Sequence, residues 1–315
     1  MSNAKLLAEI DVGDQIEGFY ILKAAVIRTT ASGKTYLSGT AADRSGTVDI
    51  KVWDYSGPIS EADAGKVAKM RGEISEYRGT LQMTVSRIRL AGANDTYDVG
   101  QLVPVAPIDA EKRMSEIQEM IDSIEDPDYR KVAETLFCRH RDSLRNIPAA
   151  KSVHHSFLSG LLMHTSNMLR TADFLAGMYG NVIDRSLLLT GTLLHDLAKE
   201  KEFAFSELGL VTEYSLEGEL LGHLVMGAQA AAEAAKESGM PGEKALLLQH
   251  MILSHHGEPE FGAAVRPLCA EAELLSYIDI MDSRMEIYEE TLADVLPGEF
   301  SGRVFALDKH IYRHN

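Results

Sequence analysis

The chain is predicted to fold as two domains of different class, a small all-β barrel followed by an all-α domain. Three observations carry that expectation. Residues 14–90 are dense in β-branched and aromatic residues, set in short runs broken by glycine-bearing turns. From Lys112 onward the apolar residues recur at helical spacing. All 11 histidines lie after residue 139, so the two parts also differ in their chemistry.

In the first part, residues 15–28, 34–43, 47–53, 66–76 and 80–89 read as strands. They are punctuated by Ser32-Gly33, Arg44-Ser-Gly46, Tyr55-Ser-Gly-Pro58 and Tyr77-Arg-Gly79. A longer, alanine-containing stretch at 59–68 separates the third strand from the fourth. Five strands so connected match an OB-fold barrel, expected over residues 1–90 as a nucleic-acid-binding domain. Residues 91–111, with Gly92, Gly100, Pro104 and Pro107, read as a linker. Met114, Ile117, Met120, Ile121 and Ile124 then share one helical face. Further helical patterns occupy 128–145, 153–179, 184–200, 218–238, 243–256 and 269–295, with a loop or small hairpin over 205–218. Residues 112–315 are expected to form the all-α domain.

Composition narrows the function. The net charge of −16 argues against a general duplex-DNA binder, which needs a basic face. Its distribution says more: residues 1–100 carry 12 Lys plus Arg against 13 Asp plus Glu, and the remainder 19 against 34. The first part can therefore accept a polyanion, while the second needs cations to approach one. Cys138 and Cys269 are far apart and lack CxxC spacing, which excludes a disulfide framework or thiolate zinc site and fits a reducing cytoplasm. No apolar run is long enough to span a bilayer and no secretory signal pattern is present, so no membrane partner is expected. Exposed Met and Leu on long helices leave room for a homo-oligomer.

The most informative feature is His195-Asp196, set in the apolar run Thr190-Gly-Thr-Leu-Leu-His-Asp-Leu-Ala-Lys199. Two adjacent ionisable groups in a buried helix cost several kcal/mol unless a partner compensates, and a divalent cation can do so. His164, His223, His255, His256, Asp279 and Asp282 repeat the theme on the other helices, and Asp279 and Asp282, three apart, share a face. A single buried histidine is more often a hydrogen-bonded core residue than a ligand. The ordered series across consecutive helices is what favours one metal site. Imidazole and carboxylate donors together suit Mn, Fe, Co, Ni or Zn.

This order resembles the HD-domain superfamily of metal-dependent phosphohydrolases. The fuller pattern runs through His154-His-Ser-Phe-Leu-Ser-Gly-Leu-Leu-Met-His164, Leu194-His-Asp-Leu-Ala-Lys199, the segment ending Leu-Gly-His223, His250-Met-Ile-Leu-Ser-His-His-Gly257 and Tyr277-Ile-Asp-Ile-Met-Asp282. With the OB-like first domain it resembles the YhaM-type 3′→5′ exoribonucleases. The resemblance implies a first metal on His164, His195, Asp196 and Asp279. It implies a second ion sharing Asp196 and taking His223 and His255, with His256 nearby, although some HD enzymes use one ion only. Mn²⁺ is the ion it favours. Asp282 is the alternative to Asp279, or an outer residue orienting a ligand imidazole. His154 and His155 match positions implied to contact substrate, His155 the better placed.

The expected reaction is phosphodiester hydrolysis by a metal-activated water, with Asp196, Lys199 and His155 as catalytic residues. Lys199 either sets an ammonium against a phosphate oxygen or is a solvated charge in the run Lys199-Glu-Lys-Glu202. On the barrel, Phe19, Tyr20, Tyr36, Trp53, Tyr55 and Tyr77 are the aromatic candidates for stacking on bases. Tyr36, Trp53, Lys51 and Arg28 are the chosen nucleic-acid contacts. Trp53 is out of phase with Val48, Ile50 and Val52, so it is a platform or a cap on the barrel end. The substrate implied by the resemblance is single-stranded RNA, with single-stranded DNA as an alternative, degraded to 5′-mononucleotides. Two other readings stay open: a phosphohydrolase of nucleotides or cyclic dinucleotides, and a non-catalytic nucleic-acid-binding or signalling module.

Overall fold

The computed structural model describes residues 5–150, 155–206 and 208–315. Residues up to 104 form one compact unit, and residues 105–205 with 209–315 the other.

The first unit is a closed five-stranded barrel. Its strands are β1 (Gln15–Thr29), β2 (Thr35–Asp43), β3 (Gly46–Val52), β4 (Val67–Tyr77) and β5 (Thr80–Leu90). They pair in the order β1-β2-β3-β5-β4, with β4 closing on β1. Only β3 and β5 run parallel, through Ile50↔Met83; the other pairs are antiparallel. This is the OB-type Greek-key arrangement. Side chains alternate as a barrel requires: Ile16, Leu22, Leu37, Ile50, Met70, Ile74 and Met83 fill the interior. Tyr20, one of the aromatic candidates for base stacking, is only 1% exposed and belongs to this core, because it is in phase with Ile16 and Leu22. The stretch between β3 and β4 carries a single 3₁₀ turn at Glu61–Asp63.

Residues 91–109 hold one short helix, α1 (Val99–Leu102), capped by the Asp98 carboxylate on the Gly100 amide. The second unit contains α2 (Ala110–Asp122), α3 (Pro127–Arg139), α4 (Arg141–Asn146), α5 (Gly160–Met178), α6 (Arg185–Leu194), α7 (Lys199–Glu202), α8 (Leu216–Ser238), α9 (Gly242–Ser254) and α10 (Ala270–Ala293). A two-stranded hairpin, β6 (Phe203–Phe205) with β7 (Val211–Tyr214), fills the 205–218 stretch. One core runs through Leu162, Met168, Leu188, Leu193, Met251, Ile252 and Leu275, with α6 buried from Ser186 to Leu194. Among the described residues no helix is long and apolar enough to cross a membrane.

Three expected helices are interrupted. The pattern at 128–145 breaks at His140, whose φ of −107° and ψ of 13° leave the helical range. Within the described part of the pattern at 153–179, residues 155–179, the helix begins at Gly160, because Ser159 is left-handed at φ 60°. The pattern at 184–200 stops at Leu194 and resumes as α7, so His195-Asp196 ends a helix rather than sitting inside one.

Asp126 ties α3 to α9. It caps α3 by accepting from the Asp128 and Tyr129 amides, and Lys244 of α9 donates to it at 2.5 Å. Partial burial opposes its ionisation, but Lys244 and the two amides outweigh that and hold its pKa below the usual carboxylate range. A depressed pKa stabilises the fold above the unfolded value near 3.9 and is lost as pH falls through the lower folded value. Asp126→Ala should cost about 1–2 kcal/mol at pH 7 by urea unfolding. The gap should narrow toward pH 3; an undiminished gap there would mean that the charged cap is not its source.

Candidate metal centre and nucleic-acid interface

His195 closes the last turn of α6, its amide donating to the Gly191 carbonyl at 3.0 Å. Because α6 is buried along its length, its end delivers His195 and Asp196 into the interior. They are 0% and 2% exposed. His164 sits in the second turn of α5, His255 directly follows α9, and Asp279 and Asp282 lie one turn apart on α10. His223 follows a break in α8 at Gly222, where φ 71° and ψ 162° favour glycine. Gly218 lets this segment approach closely: a Cβ there would lie 2.1 Å from the Glu202 carbonyl oxygen.

These elements bring one carboxylate and four imidazole nitrogens together. Asp196 Oδ2 lies 3.3 Å from His195 Nε2 and 3.8 Å from His164 Nε2. Its Oδ1 lies 3.4 Å from His223 Nε2 and 3.7 Å from His255 Nε2. Asp279 Oδ1 adds a second carboxylate 3.4 Å from His164 Nε2. His256 packs beside this group, its ring centroid 4.3 Å from that of His255 and 5.2 Å from that of His223.

Every one of the four rings is held from behind. His195 Nδ1 donates to Thr192 O and His255 Nδ1 to Ile252 O, each at 2.7 Å. His223 Nδ1 donates to Glu202 Oε1 at 2.8 Å, and His164 Nδ1 to Asp282 Oδ2 at 2.7 Å. A carbonyl or carboxylate oxygen can only accept, so Nδ1 carries the hydrogen and the neutral ring points an Nε2 lone pair inward. When both rings are neutral, His195 and His164 aim two lone pairs at each other 3.3 Å apart, which is no hydrogen bond. Asp196 Oδ1, His223 Nε2, His255 Nε2 and His256 Nδ1 are buried without a hydrogen-bond partner among the described residues. Inward-facing donors of this kind fit a divalent cation and, without one, are costly to bury. His164 shows the same pull: burial disfavours its imidazolium, but Asp279 and Asp282 outweigh that and push its pKa up to about 9. A proton and a metal ion therefore compete for its Nε2.

The geometry sorts the sequence-predicted residues. His164, His195, Asp196, His223, His255, His256 and Asp279 converge. Asp282 stands behind them, accepting from both His164 Nδ1 and His155 Nε2, the latter at 3.0 Å. Burial works against its ionisation, yet the two imidazoles lower its pKa to about 2. His155 is wholly buried behind Asp282, which corrects the expectation that it touches substrate. His154 lies outside the described residues. Lys199 is not a solvated charge: its side chain is 12% exposed and its Nζ lies 2.6 Å from Asp196 Oδ2. Burial disfavours that ammonium, but Asp196 more than compensates and raises its pKa.

Glu202 is the residue that sequence reasoning missed. In the run Lys199-Glu-Lys-Glu202 it looks like surface charge, yet it is buried and accepts from both the amide and Nδ1 of His223. Gly218 and Gly222, preceding His223 in an otherwise helical stretch, were the available signal. The cage opens onto a cavity of about 570 Å³, lined by Lys199, His223, His256, Asp279, Tyr214 and Arg284 among others.

On the barrel, all four predicted contacts lie on the outer surface of β1, β2 and β3. Arg28 pairs with Tyr36 across β1 and β2. The rings of Tyr36 and Trp53 are 4.9 Å apart, and Lys51 Nζ sits 5.4 Å from the Tyr36 centroid while donating to Ser38 Oγ. Trp53, the residue after β3, is 51% exposed beside Tyr36.

Residues 161–284 match the HD-domain family. HD domains bind divalent metals and act as metal-dependent phosphohydrolases. The first unit is similar to solved OB domains from archaea. The second OB-fold domain of replication protein A from Methanococcus maripaludis shows 14% identity over 30% of this chain and 98% of that one, with a TM-score of 0.22. An OB domain from Thermoplasma acidophilum shows 11% identity over 30% of this chain and 90% of its own, with a TM-score of 0.24. One from Methanosarcina mazei shows 15% identity over 30% and 85%, with a TM-score of 0.24. The class of the barrel stands on its strand order.

Two outcomes test the cage. A divalent cation added to chelator-treated protein should raise the thermal midpoint, by an amount equivalent to about 2.7 kcal/mol at a hundredfold excess over Kd. Glu202→Ala leaves every inward-facing donor in place but frees His223 to rotate. Its metal affinity by calorimetry should fall about 10–100-fold; an unchanged Kd would remove Glu202 from the site.

Proposed function

We propose that the chain is a metal-dependent exoribonuclease that releases 5′-mononucleotides stepwise from the 3′ end of single-stranded RNA, with single-stranded DNA as a second substrate and Mn²⁺ as the working ion. The observation that carries this reading is the pairing, on one chain, of a cage of imidazoles and carboxylates with a strand-binding type of barrel. A polymer substrate explains both, because tethering a binding module to a hydrolase raises the local concentration of the strand. The direction of cleavage rests on the resemblance of the motif series to the YhaM-type enzymes.

A divalent cation held by these residues would supply Lewis acidity toward a phosphate oxygen and lower the pKa of a water near it. The remaining work falls to the chain. Asp196 joins the two halves of the cage, one oxygen toward His195 and His164, the other toward His223 and His255. Asp282 and Glu202 fix the rings of His164 and His223. Lys199, held by Asp196 on the cavity wall, presents an ammonium to a phosphate oxygen. Arg284 adds a second cation on that wall, and Tyr214 and Phe261 supply aromatic surface for a base. The cavity, at about 570 Å³, is large enough for a terminal nucleotide. On the barrel, Tyr36 and Trp53 offer stacking surface, with Lys51 and Arg28 beside them for phosphates.

The test is a time course on 5′-labelled single-stranded RNA with and without Mn²⁺, resolved as a ladder. A ladder descending by single nucleotides is expected, and Asp196→Ala should abolish it. Trp53→Ala should raise KM on long RNA about tenfold, since stacking is worth on the order of 1–3 kcal/mol per base. It should leave hydrolysis of a small phosphodiester unchanged. Equal turnover of free nucleotides and RNA, insensitive to Trp53→Ala, would favour the small-molecule phosphohydrolase instead.

A further inference from the structure

The neighbouring wall of the barrel, β4 and β5, carries a second concentration of charge. On the outer face of β4 and β5, Lys69 stands directly across from Arg89 and Arg71 across from Arg87. Like charges placed opposite each other on a sheet destabilise it, and here two successive pairs do so. Nearby carboxylates answer only part of this charge. Asp95 pairs with Arg89 at 2.5 Å. Glu17 serves Lys69 at 3.2 Å and reaches Arg71 only at 3.8 Å. Arg87 forms no ion pair among the described residues.

The backbone is shaped to present these arginines. Val85 and Arg87 are two residues apart, and in a regular strand both would face the core. Instead Val85 is buried and Arg87 exposed. The register shifts between Arg71 and Gly72, which places Ser86 as an extra residue; its hydroxyl donates to Arg71 O at 3.1 Å. This bulge turns Arg87 outward and returns Ile88 to the interior side.

The same residues line a cavity of about 620 Å³ whose other wall is Trp53, Asp54 and Tyr55. Asp54 is engaged by Lys34 at 3.0 Å, so it does not cancel the basic wall. Aromatic surface is interleaved with the cations: Lys69 Nζ lies 5.7 Å from the Phe19 centroid, and Phe19 packs on Tyr97 at 5.0 Å. Trp53 belongs both to this cavity and to the Tyr36 platform.

We infer that the outer face of β4 and β5 is a second contact for the nucleic-acid strand, a phosphate-binding groove entered from the Tyr36–Trp53 platform past Trp53. The inference rests on the proposal that the barrel holds single-stranded nucleic acid, and it adds a surface outside the contacts chosen from sequence. The groove reads backbone charge and is indifferent to base, because arginines opposite arginines answer successive phosphates and nothing there is arranged to discriminate base edges.

The test uses the full chain with labelled single-stranded oligonucleotides, affinity being followed by anisotropy across a salt series. Arg71→Gln/Arg87→Gln should weaken binding by a similar factor for every homopolymer. It should also make the slope of log affinity against log salt shallower by about 1.4, for two phosphate contacts on a single strand. Arg71→Lys/Arg87→Lys keeps the charge and should keep the slope. The glutamine variant should melt no lower than the parent, since it relieves like-charge opposition. A parent that binds while the glutamine variant matches it in slope and affinity would overturn this groove alone. A parent that binds no single strand at all would overturn the groove together with the proposed function.

Discussion

One buried carboxylate organises the helical domain. Asp196 is nearly sealed from solvent, and each of its oxygens faces a different pair of imidazoles. The imidazole side of this cluster is fixed by hydrogen bonds that run outward, to two backbone carbonyls and to Asp282 and Glu202. Each ring has thus used its hydrogen away from the centre and has only a lone pair left to offer. Five helical segments converge on a point where the protein supplies acceptors in excess of donors. Such a point is stable to bury when a cation shares it, and the surrounding helices are spaced to permit one.

The barrel and the ligand series were legible in the sequence because both are local or ordered signals. Strand ends at residues 15, 43, 80 and 90 fall within a residue of their expected places, since alternation and glycine turns are written into consecutive residues. The histidines and aspartates were legible because an ionisable pair inside a leucine-rich run conflicts with burial. What was illegible depends on long-range packing. Glu202 reads as surface charge because its partner His223 is 21 residues away. His155 is assigned to substrate by the family resemblance, and nothing local reveals that its Nε2 donates to Asp282, 127 residues later. The bulge at Ser86 is hidden for a related reason: an extra residue shows only when both strands are aligned.

Under the proposed function, the division of charge between the two parts of the chain corresponds to two ways of meeting a polyanion. The barrel meets it with side chains already positive, so residues 1–100 sit close to neutrality. The helical part carries most of the net −16. An acidic surface would repel a phosphate backbone at long range, though within about 10 Å in ordinary salt the local charge decides. Under the proposed function, a divalent ion held in the cage would offset that repulsion at the place where phosphate comes close.

Lys199 sharpens this point. Its ammonium lies against Asp196 Oδ2, while Asp279 Oδ1 lies against the same His164 Nε2 that faces Asp196. Asp196, Asp279, Asp282 and Glu202 set four carboxylates against that one ammonium, so a divalent ion would offset part of a negative excess. Replacing Lys199 by a neutral residue would leave the cage more acidic and hold a cation more tightly, but it would remove the positive wall beside it. The lysine therefore exchanges some metal affinity for a surface that remains attractive to a phosphodiester. Its burial supports that role, because an ammonium that kept its full hydration shell would be screened from both the carboxylate and the substrate.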